Sequence, residues 1–198
     1  MKPALSSAAL DQLFFSARTH NVWLAEPVED ELLERLWALM RMAPTSANCS
    51  PLRIVFVKSA PAKERLKPAL MAGNIDKTMS APVTAILAYD VRFYEHLSFL
   101  FPHTDARAWF DGPGKEDFAR ASAVLNASLQ VAYFILAARA LGLDCGPMTG
   151  FDNAMVDAAF FPEGRHRSHV LCNLGVGDDS KLFPRSPRFE FAQACRIV

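Results

Sequence analysis

The sequence is short of glycine and lacks both glycine-rich patterns that bind nucleotide phosphates. Only 9 of its 198 residues are glycine, and neither GxGxxG nor GxxxxGKS/T occurs in the chain. Both patterns place backbone N–H groups around phosphates at the start of a helix. Their absence excludes the usual dinucleotide-binding turn and the P-loop, so any nucleotide must be held by other groups.

Cysteine is scarce and irregularly placed. Cys49, Cys145, Cys172 and Cys195 form no CxxC pair and no Cys/His spacing typical of a zinc site. We therefore expect neither a disulfide framework nor a structural metal. The four thiols are predicted to be reduced and mostly buried.

An excess of one charge and a long apolar run are both absent. The chain has 21 Lys plus Arg and 21 Asp plus Glu, so no overall field favours nucleic acid or an anionic membrane. No window approaches about 18 uninterrupted apolar residues, and the start of the chain lacks a signal-peptide pattern. These absences predict a soluble, cytoplasmic protein whose anion sites are local.

Apolar residues, in contrast, are abundant. They make up 51% of the sequence and include 15 phenylalanines. A chain of this length buries roughly 70% of its unfolded surface, which is little for so apolar a composition. We therefore expect an oligomer.

Hydrophobic periodicity predicts helices that alternate with strands. Helical spacing is found in segments 7–18, 30–42, 62–72, 118–141 and 153–160. Short apolar runs indicate strands at 52–58, 82–89, 144–148 and 168–175. The alternation favours a three-layer arrangement.

Two details of this pattern concern possible sites. Gly73 is predicted to end the third helix, which places Asn74 and Lys77 in the loop that follows. Segment 94–110 interleaves aromatic with charged residues. It is predicted to form a lid or wall and not a core element.

The stretch Ala43–Asn48, continued by Cys49–Pro51, joins a helical segment to a strand-like one. It concentrates hydroxyl, amide and free backbone donors in a few residues. The composition indicates a loop that holds something polar. An ordinary helix-to-strand connection of the same composition is the alternative.

Several cations and amides fall at predicted loop positions. They are Arg18 after the first helix, Asn74 and Lys77 after the third, and Arg185 and Arg188 in the tail. Arginine offers two parallel donors to a phosphate and lysine a compact charge, so together they could bind a phosphate without a glycine-rich loop. Each alone is more often a solvated surface charge.

Five strings, taken in chain order, resemble the FMN-dependent nitroreductase family. They are Ala17-Arg18-Thr19-His20-Asn21, Ala43-Pro44-Thr45-Ser46-Ala47-Asn48, Asn74-x-x-Lys77, Gly146-Pro147-Met148-Thr149-Gly150-Phe151-Asp152 and Gly175-x-Gly177. The arginine-bearing tail follows them, so the resemblance covers nearly the whole chain. Within the family, segments 17–21, 44–51, 100–103 and 146–148 are similar to malonic semialdehyde reductases of the pyrimidine-degrading Rut pathway.

The resemblance implies an intertwined homodimer of α+β subunits, each a single nitroreductase-like domain over residues 1–198 with a central mixed sheet flanked by helices. It also implies one FMN at each of two subunit interfaces, with NADH or NADPH as hydride donor. The resemblance implies that Arg18, His20 and Asn21 hold the FMN phosphate and ribityl end, with Lys77 and one of Arg185 or Arg188 adding charge. It implies that Asn74 reaches the edge of the isoalloxazine ring, that backbone N–H groups near Thr149 and Gly150 face flavin N5 and O4, and that Pro147 also contacts the cofactor. Thr45, Ser46 and Asn48 would come from the other subunit.

Hydride would pass through flavin N5, so the resemblance requires no catalytic side chain. Arg107 and His103 are candidates for substrate, because a semialdehyde acid has a carboxylate to pair and a carbonyl oxygen to protonate. Surface charges on an aromatic loop are the alternative. The implied reaction is reduction of malonic semialdehyde to 3-hydroxypropionate, with a broad nitroaromatic, quinone or enone reductase as the alternative.

Two other functional classes remain open. Cys49 could be a nucleophile paired with His20 or His103, which would make the protein a thiol enzyme. The chain could also bind FMN without turning over any substrate.

Overall fold

A computed structural model describes residues 1–198 and shows helices packed on both faces of one sheet. The α-helices are α1 (Ser7–Leu10), α2 (Asp30–Met40), α3 (Ala60–Leu66), α4 (Ala72–Ser80), α5 (Leu97–Leu100), α6 (Glu116–Ala140), α7 (Asn153–Phe160) and α8 (Phe191–Ala194). The strands are β1 (Leu52–Val57), β2 (Val83–Asp90), β3 (Asp144–Met148) and β4 (His166–Gly175). Helix α1 continues as a π-helical turn, Asp11–Phe15.

The sheet has the strand order β1-β2-β4-β3, and all three neighbouring pairs are antiparallel. A mixed sheet was expected. It does not form because α3 and α4 return the chain to the end of β1 at which it left. The start of β2 therefore lies beside the end of β1, with Thr84 opposite Val57, and the two strands are antiparallel. The one parallel pairing is an isolated bridge between Thr19 and Cys145, which places segment 17–21 beside β3.

Successive side chains of β2 point to opposite faces of the sheet, and each face carries its own core. Ala85 and Leu87 pack in a cluster with residues of α2 and α6. Ile86 and Ala88 pack in a second cluster with residues of α3 and α7. The predicted three-layer arrangement is confirmed.

Helix α6 lies at the centre of the first core. Its length of 25 residues and its composition alone would allow it to cross a membrane. However, Ala127, Phe134 and Ala138 are completely buried against the sheet and α2. We therefore interpret α6 as the core helix of this fold. Gly142, with a φ of 81°, follows its C-terminal end and adopts the left-handed conformation that glycine tolerates.

Pro68 divides the third predicted helix. A 3₁₀ turn, Lys67–Ala69, follows α3 because proline lacks an N–H and its ring crowds the preceding turn. The chain then starts a new helix, so Gly73 lies in the first turn of α4 and the prediction that it ends a helix is wrong. Asn74 and Lys77 therefore project from a helix and not from a loop.

Segment 94–110 contains short helical turns that bury more than the predicted lid or wall would. Phe93 and Phe110 are buried, and their rings meet edge to face at 5.0 Å. They belong to a third apolar cluster, which also contains Ala119 of α6 and Cys49. Phe93 and Phe110 thus pack against α6 and form a small core with it. This core supports the loop after α2, since Cys49 of that loop belongs to it.

Candidate functional site

Four arginines line one cavity of about 320 Å³. The cavity lies between the segment after α1, the end of α6 and the C-terminal tail. Its lining residues are Ala17, Arg18, Thr19, Asn21, Arg139, Phe183, Pro184, Arg185, Ser186 and Arg188. No aspartate or glutamate is among them. The cavity is therefore a strongly positive site, and it unites the predicted residues of segment 17–21 with those of the tail.

Backbone carbonyl groups orient the guanidinium groups around this cavity. Arg18 donates a hydrogen bond from Nη2 to the carbonyl oxygen of Phe183. Arg185 donates from Nη2 to the carbonyl oxygen of Phe15 at 2.7 Å. These bonds join the tail to the end of the first helical segment, so the two parts of the site are positioned by each other.

Arg139 is a cavity residue that the sequence analysis missed. It lies in the last turn of α6, and its Nη1 donates to the carbonyl oxygen of Leu13 at 3.0 Å. Its Nε is buried and has no hydrogen-bond partner. A buried donor without an acceptor is costly, so the Arg139 guanidinium is held beside the cavity against an unfavourable term. An arginine among the alanines that end an apolar helix is the sequence signal that could have indicated it.

The donor set of the cavity fits the phosphate end of FMN. Guanidinium groups bind phosphate oxygens through two parallel hydrogen bonds, and Asn21 adds an amide beside them. Without an anion, the four like charges repel one another. Binding of a dianionic phosphate would relieve that repulsion.

His20 occupies a different place from the predicted phosphate contact. Its side chain is buried, with Nε2 3.1 Å from Oδ1 of Asp179 and Nδ1 3.4 Å from Oδ1 of Asp144. A Cβ at Gly177 would come within 2.0 Å of the ring, so glycine is required there. The imidazole is hydrogen-bonded to Asp179 at the start of the tail, its Nδ1 has no hydrogen-bond partner, and it is absent from the lining of the arginine cavity.

Asn74 and Gly150, which lie 76 positions apart, are in direct contact. Asn74 donates from Nδ2 to the carbonyl oxygen of Gly150 at 2.7 Å. A Cβ at position 150 would lie 2.4 Å from the same nitrogen, so a larger residue there would displace the Asn74 amide. Pro147 is half-buried in β3 and Thr149 is exposed just after it. The residues expected to face the isoalloxazine ring thus meet where β3 ends and α4 begins.

Side chains from three other parts of the chain hold the C-terminal end of α4. The carbonyl oxygen of Lys77 accepts hydrogen bonds from Trp23 Nε1 at 3.0 Å and Asn173 Nδ2 at 3.1 Å. That of Thr78 accepts one from Lys63 Nζ at 2.6 Å. Burial lowers the pKa of Lys63 to about 8. Because the last carbonyls of a helix lack intrahelical donors, these bonds set the direction in which α4 carries its side chains.

The ammonium group of Lys77 is half-buried beside this site. Burial lowers the pKa of Lys77, since a partly desolvated ammonium is less favourable than one in water. Lys77 lies on the same helix as Asn74 and does not line the arginine cavity. Lys77 is therefore separate from the arginines with which the sequence grouped it.

The loop of residues 43–51 has an unusual backbone. Ala47, Asn48 and Ser50 have φ values of 49°, 50° and 38°, in the left-handed region that favours glycine. Each such residue costs about 1–3 kcal/mol and persists only where its surroundings enforce it. An ordinary connection would not need this strain, so the shape of the loop favours a functional role.

Hydrogen bonds hold the polar side chains of this loop. The Ser50 N–H donates to Thr45 Oγ1 at 3.1 Å, and Asn48 Nδ2 donates to the carbonyl oxygen of Leu100 at 2.9 Å. Ser46 and Asn48 are exposed. None of the three predicted flavin contacts in the loop lines the arginine cavity of its own chain. This placement is compatible with a loop that serves another subunit.

His103 and Arg107 are exposed in segment 94–110 and line neither the arginine cavity nor the region around Gly150. Arg107 Nη2 lies 2.6 Å from Oδ2 of Asp111. The His103 ring meets Phe101 edge to face, with 5.3 Å between ring centroids. A substrate carboxylate would have to compete with Asp111 for Arg107.

The environment of Cys49 disfavours a thiol enzyme. Cys49 is 1% exposed, and burial raises its pKa to about 11. Because the thiolate is the nucleophile, a thiol that stays protonated at neutral pH is a poor one. Cys145 and Cys172 are also buried and Cys195 is exposed, so the prediction of mostly buried free thiols is confirmed.

Comparison with known proteins identifies the family of the chain. The model of the nitroreductase family matches residues 16–177. A Burkholderia lata protein, provisionally named NADH dehydrogenase/NAD(P)H nitroreductase, is 61% identical over 193 residues, covering 98% of each chain. A Ralstonia nicotianae protein with the same provisional name is 56% identical over 198 residues, covering 99% of this chain and 100% of the relative. The solved structure of a nitroreductase from Exiguobacterium sibiricum in complex with FMN has the same fold, with a TM-score of 0.84, 16% identity and 100% coverage of both chains. The chain belongs to the nitroreductase family.

Proposed function

We propose that this chain is an FMN-dependent NAD(P)H oxidoreductase. The observation that carries the proposal is the arginine cavity, which four arginines line and no carboxylate does. Bound FMN would supply hydride transfer from NADH or NADPH to an acceptor. The family, the names of the relatives and the FMN bound to a protein of the same fold support this function.

Each part of the site has a proposed role in holding the cofactor. Arg18, Asn21, Arg139, Arg185 and Arg188 bind the phosphate and ribityl end. Asn74, Lys77, Pro147, Thr149 and Gly150 contact the isoalloxazine ring. Thr45, Ser46 and Asn48 complete the site of a second subunit. The buried His20 contributes by fastening the tail and not by direct contact.

We propose that the protein is a homodimer whose subunits each fold as a single domain over residues 1–198, in the cytoplasm. Large apolar side chains are exposed on α6, where they form a stripe of Phe118, Leu125, Leu129 and Tyr133 with 40–60% of each side chain accessible. In the tail, Phe189, Phe191, Ile197 and Val198 are also exposed. Contiguous apolar surface of this kind marks an interaction site, and a second copy of the chain would cover both regions.

The purified protein tests the function directly. We expect it to be yellow, or to become yellow on reconstitution with FMN, and to bleach with NADH or NADPH under anaerobic conditions. The matched control is the same titration with the reduced nicotinamide omitted. A colourless protein that cannot be reconstituted would contradict the proposal, and a flavoprotein that no nicotinamide reduces would be a non-catalytic flavin binder.

For the acceptor, we propose malonic semialdehyde, which would be reduced to 3-hydroxypropionate in pyrimidine degradation. The proposal is supported by the strings shared with malonic semialdehyde reductases, among them segment 100–103. In this reaction Arg107 would bind the carboxylate and His103 or water would supply the proton. Arg107 must first leave Asp111. Its role can therefore be tested by substitution of either Arg107 or Asp111.

Substitution of Arg107 should separate substrate binding from flavin reduction. We expect Arg107→Ala to raise KM for malonic semialdehyde about tenfold, because a charge-assisted pair is lost. Asp111→Asn should lower KM up to about fivefold, because the exposed carboxylate that competes for Arg107 is removed. Stopped-flow reduction by NAD(P)H should be the same in both variants and the wild type. Equal damage to both half-reactions would remove the role of Arg107.

A broad nitroaromatic, quinone or enone reductase is the second candidate. The observation that favours it is the pairing of Arg107 with Asp111, which leaves the exposed aromatic segment without a free cation for a carboxylate. Values of kcat/KM for these acceptors, compared with malonic semialdehyde, decide between the two candidates. Reduction of a nitro compound alone would not, because an open reduced flavin passes hydride to many acceptors.

A further inference from the structure

Two amide side chains are buried on the otherwise apolar inner face of α6. Asn126 and Gln130 are each 1% exposed. Four residues apart, they lie one turn from each other on the same face of the helix. A buried amide is unfavourable unless it is hydrogen-bonded, so the partners of these two side chains explain why they are there.

Their partners are backbone groups at the two ends of one loop. Asn126 Oδ1 accepts a hydrogen bond from the Ser46 N–H at 2.8 Å. Gln130 Oε1 accepts one from the Leu52 N–H at 2.9 Å. The other end of the Asn126 amide donates from Nδ2 to the carbonyl oxygen of Ser122 at 2.8 Å, which fixes its orientation. One turn of the core helix therefore holds both ends of segment 46–52.

The strained residues lie between these two anchors. Ala47, Asn48 and Ser50 all have positive φ values, and such a backbone needs surroundings that enforce it. Other side-chain bonds of the loop involve Thr45, Leu100 and Arg53, whose Nη1 donates to the carbonyl oxygen of Ser50 at 3.0 Å. The bonds to α6 are the ones that tie the backbone N–H groups at the two ends of the segment to the core helix.

We propose that Asn126 and Gln130 are positioning residues, which hold segment 46–52 in the conformation that presents Thr45, Ser46 and Asn48 to FMN. The inference rests on the proposed function, since it assigns these two amides to the flavin site. Neither amide touches the cofactor. Each acts through a backbone N–H of the loop, and α6 thereby determines the shape of the flavin site.

The test uses three variants of the full chain. Asn126→Leu keeps the size of the side chain but removes the acceptor. Asn126→Asp, protonated in its buried site, keeps an acceptor for Ser46 and a donor for Ser122. Val156→Ala is the matched control for lost stability, because Val156 is completely buried in the cluster on the other face of the sheet, away from the loop. Gln130→Met repeats the test at the second anchor if Asn126→Leu does not fold.

The first measurement needs no flavin. Amide hydrogen exchange of the apoprotein should be about tenfold or more faster at Ser46 in Asn126→Leu, the change expected from loss of a buried hydrogen bond. In Gln130→Met the faster site should be Leu52. Exchange at both sites should match the wild type in Asn126→Asp and Val156→Ala. Unchanged exchange at Ser46 in Asn126→Leu would overturn the anchoring.

The second measurement is FMN binding, followed by the visible spectrum and by a dissociation constant. Asn126→Leu should bind about tenfold more weakly and shift the flavin spectrum, whereas Asn126→Asp should restore both. Faster exchange with wild-type FMN affinity and spectrum would overturn the positioning role alone. A wild-type protein that binds no FMN would instead overturn the proposed function, and the positioning role with it.

Discussion

Arg18→Ala is expected to weaken FMN binding by about 10- to 100-fold, because it removes charge-assisted hydrogen bonds to the phosphate. No carboxylate lines the cavity to pair with this guanidinium group in place of the phosphate. The side chain also joins the tail to the first helical segment through Phe183, so its loss loosens the far wall of the cavity. Quenching of FMN fluorescence during titration of the apoprotein measures the effect. The matched control is Arg120→Ala, which removes an exposed arginine paired with Asp117 outside the cavity.

Arg139 provides an independent check of the same site. Arg139→Met keeps the length and apolar contacts of the side chain but removes the buried Nε that lacks a partner. Removal of one of the four like charges should reduce the repulsion within the cavity of the apoprotein. The affinity for FMN should nevertheless fall. If Arg18→Ala and Arg139→Met both bind FMN as Arg120→Ala does, the arginine cavity is not the phosphate site.

We expect mixed dimers of two variants to bind FMN at concentrations of FMN at which neither parent homodimer binds it. One parent is Arg18→Ala. The other is Ser46→Trp, which places a bulky side chain at an exposed loop position and should block the contact that the loop makes. If the loop serves the partner, a mixed dimer has one site with both defects and one site with neither. A two-fold dimer should therefore bind about half the wild-type amount of FMN.

Mixed dimers carrying two different affinity tags can be purified away from both parents, and their absorbance at the flavin band gives the occupancy. If the loop instead serves its own chain, each site carries one defect and no flavin is recovered. A loop with no part in the site would leave the Ser46→Trp homodimer fully flavinated. The Ser46→Trp homodimer therefore separates the last arrangement from the other two, and the mixed dimer separates those two from each other.

Local patterns predict the helices and strands of this chain well where periodicity alone determines them. The apolar spacing of α2 and α6 and the four apolar runs of the sheet all correspond to elements of the structure. The errors arise where a single residue has two possible meanings. Gly73 suits a helix end, but after Pro68 has ended α3 it lies in the first turn of a new helix.

The candidate site was predictable where residues share a string and harder to predict where they meet only through tertiary packing. The sequence predicts that Arg18 and the tail arginines come together, and all of them line the arginine cavity. Arg139 was missed because it ends a helix that reads as pure core. His20 is in a recognisable string, yet its two carboxylate neighbours come from β3 and the tail, and no local pattern indicates that meeting.

The distribution of thiols allows a reporter group to be attached to the tail, at Cys195, without any mutation. Cys49, Cys145 and Cys172 are buried, whereas Cys195 is exposed after α8. A thiol-reactive dye would therefore label the native chain at one position near its C-terminus. The labelling rate would then reveal, for the wild type at each protein concentration, whether the surface of the tail is open to solvent or covered.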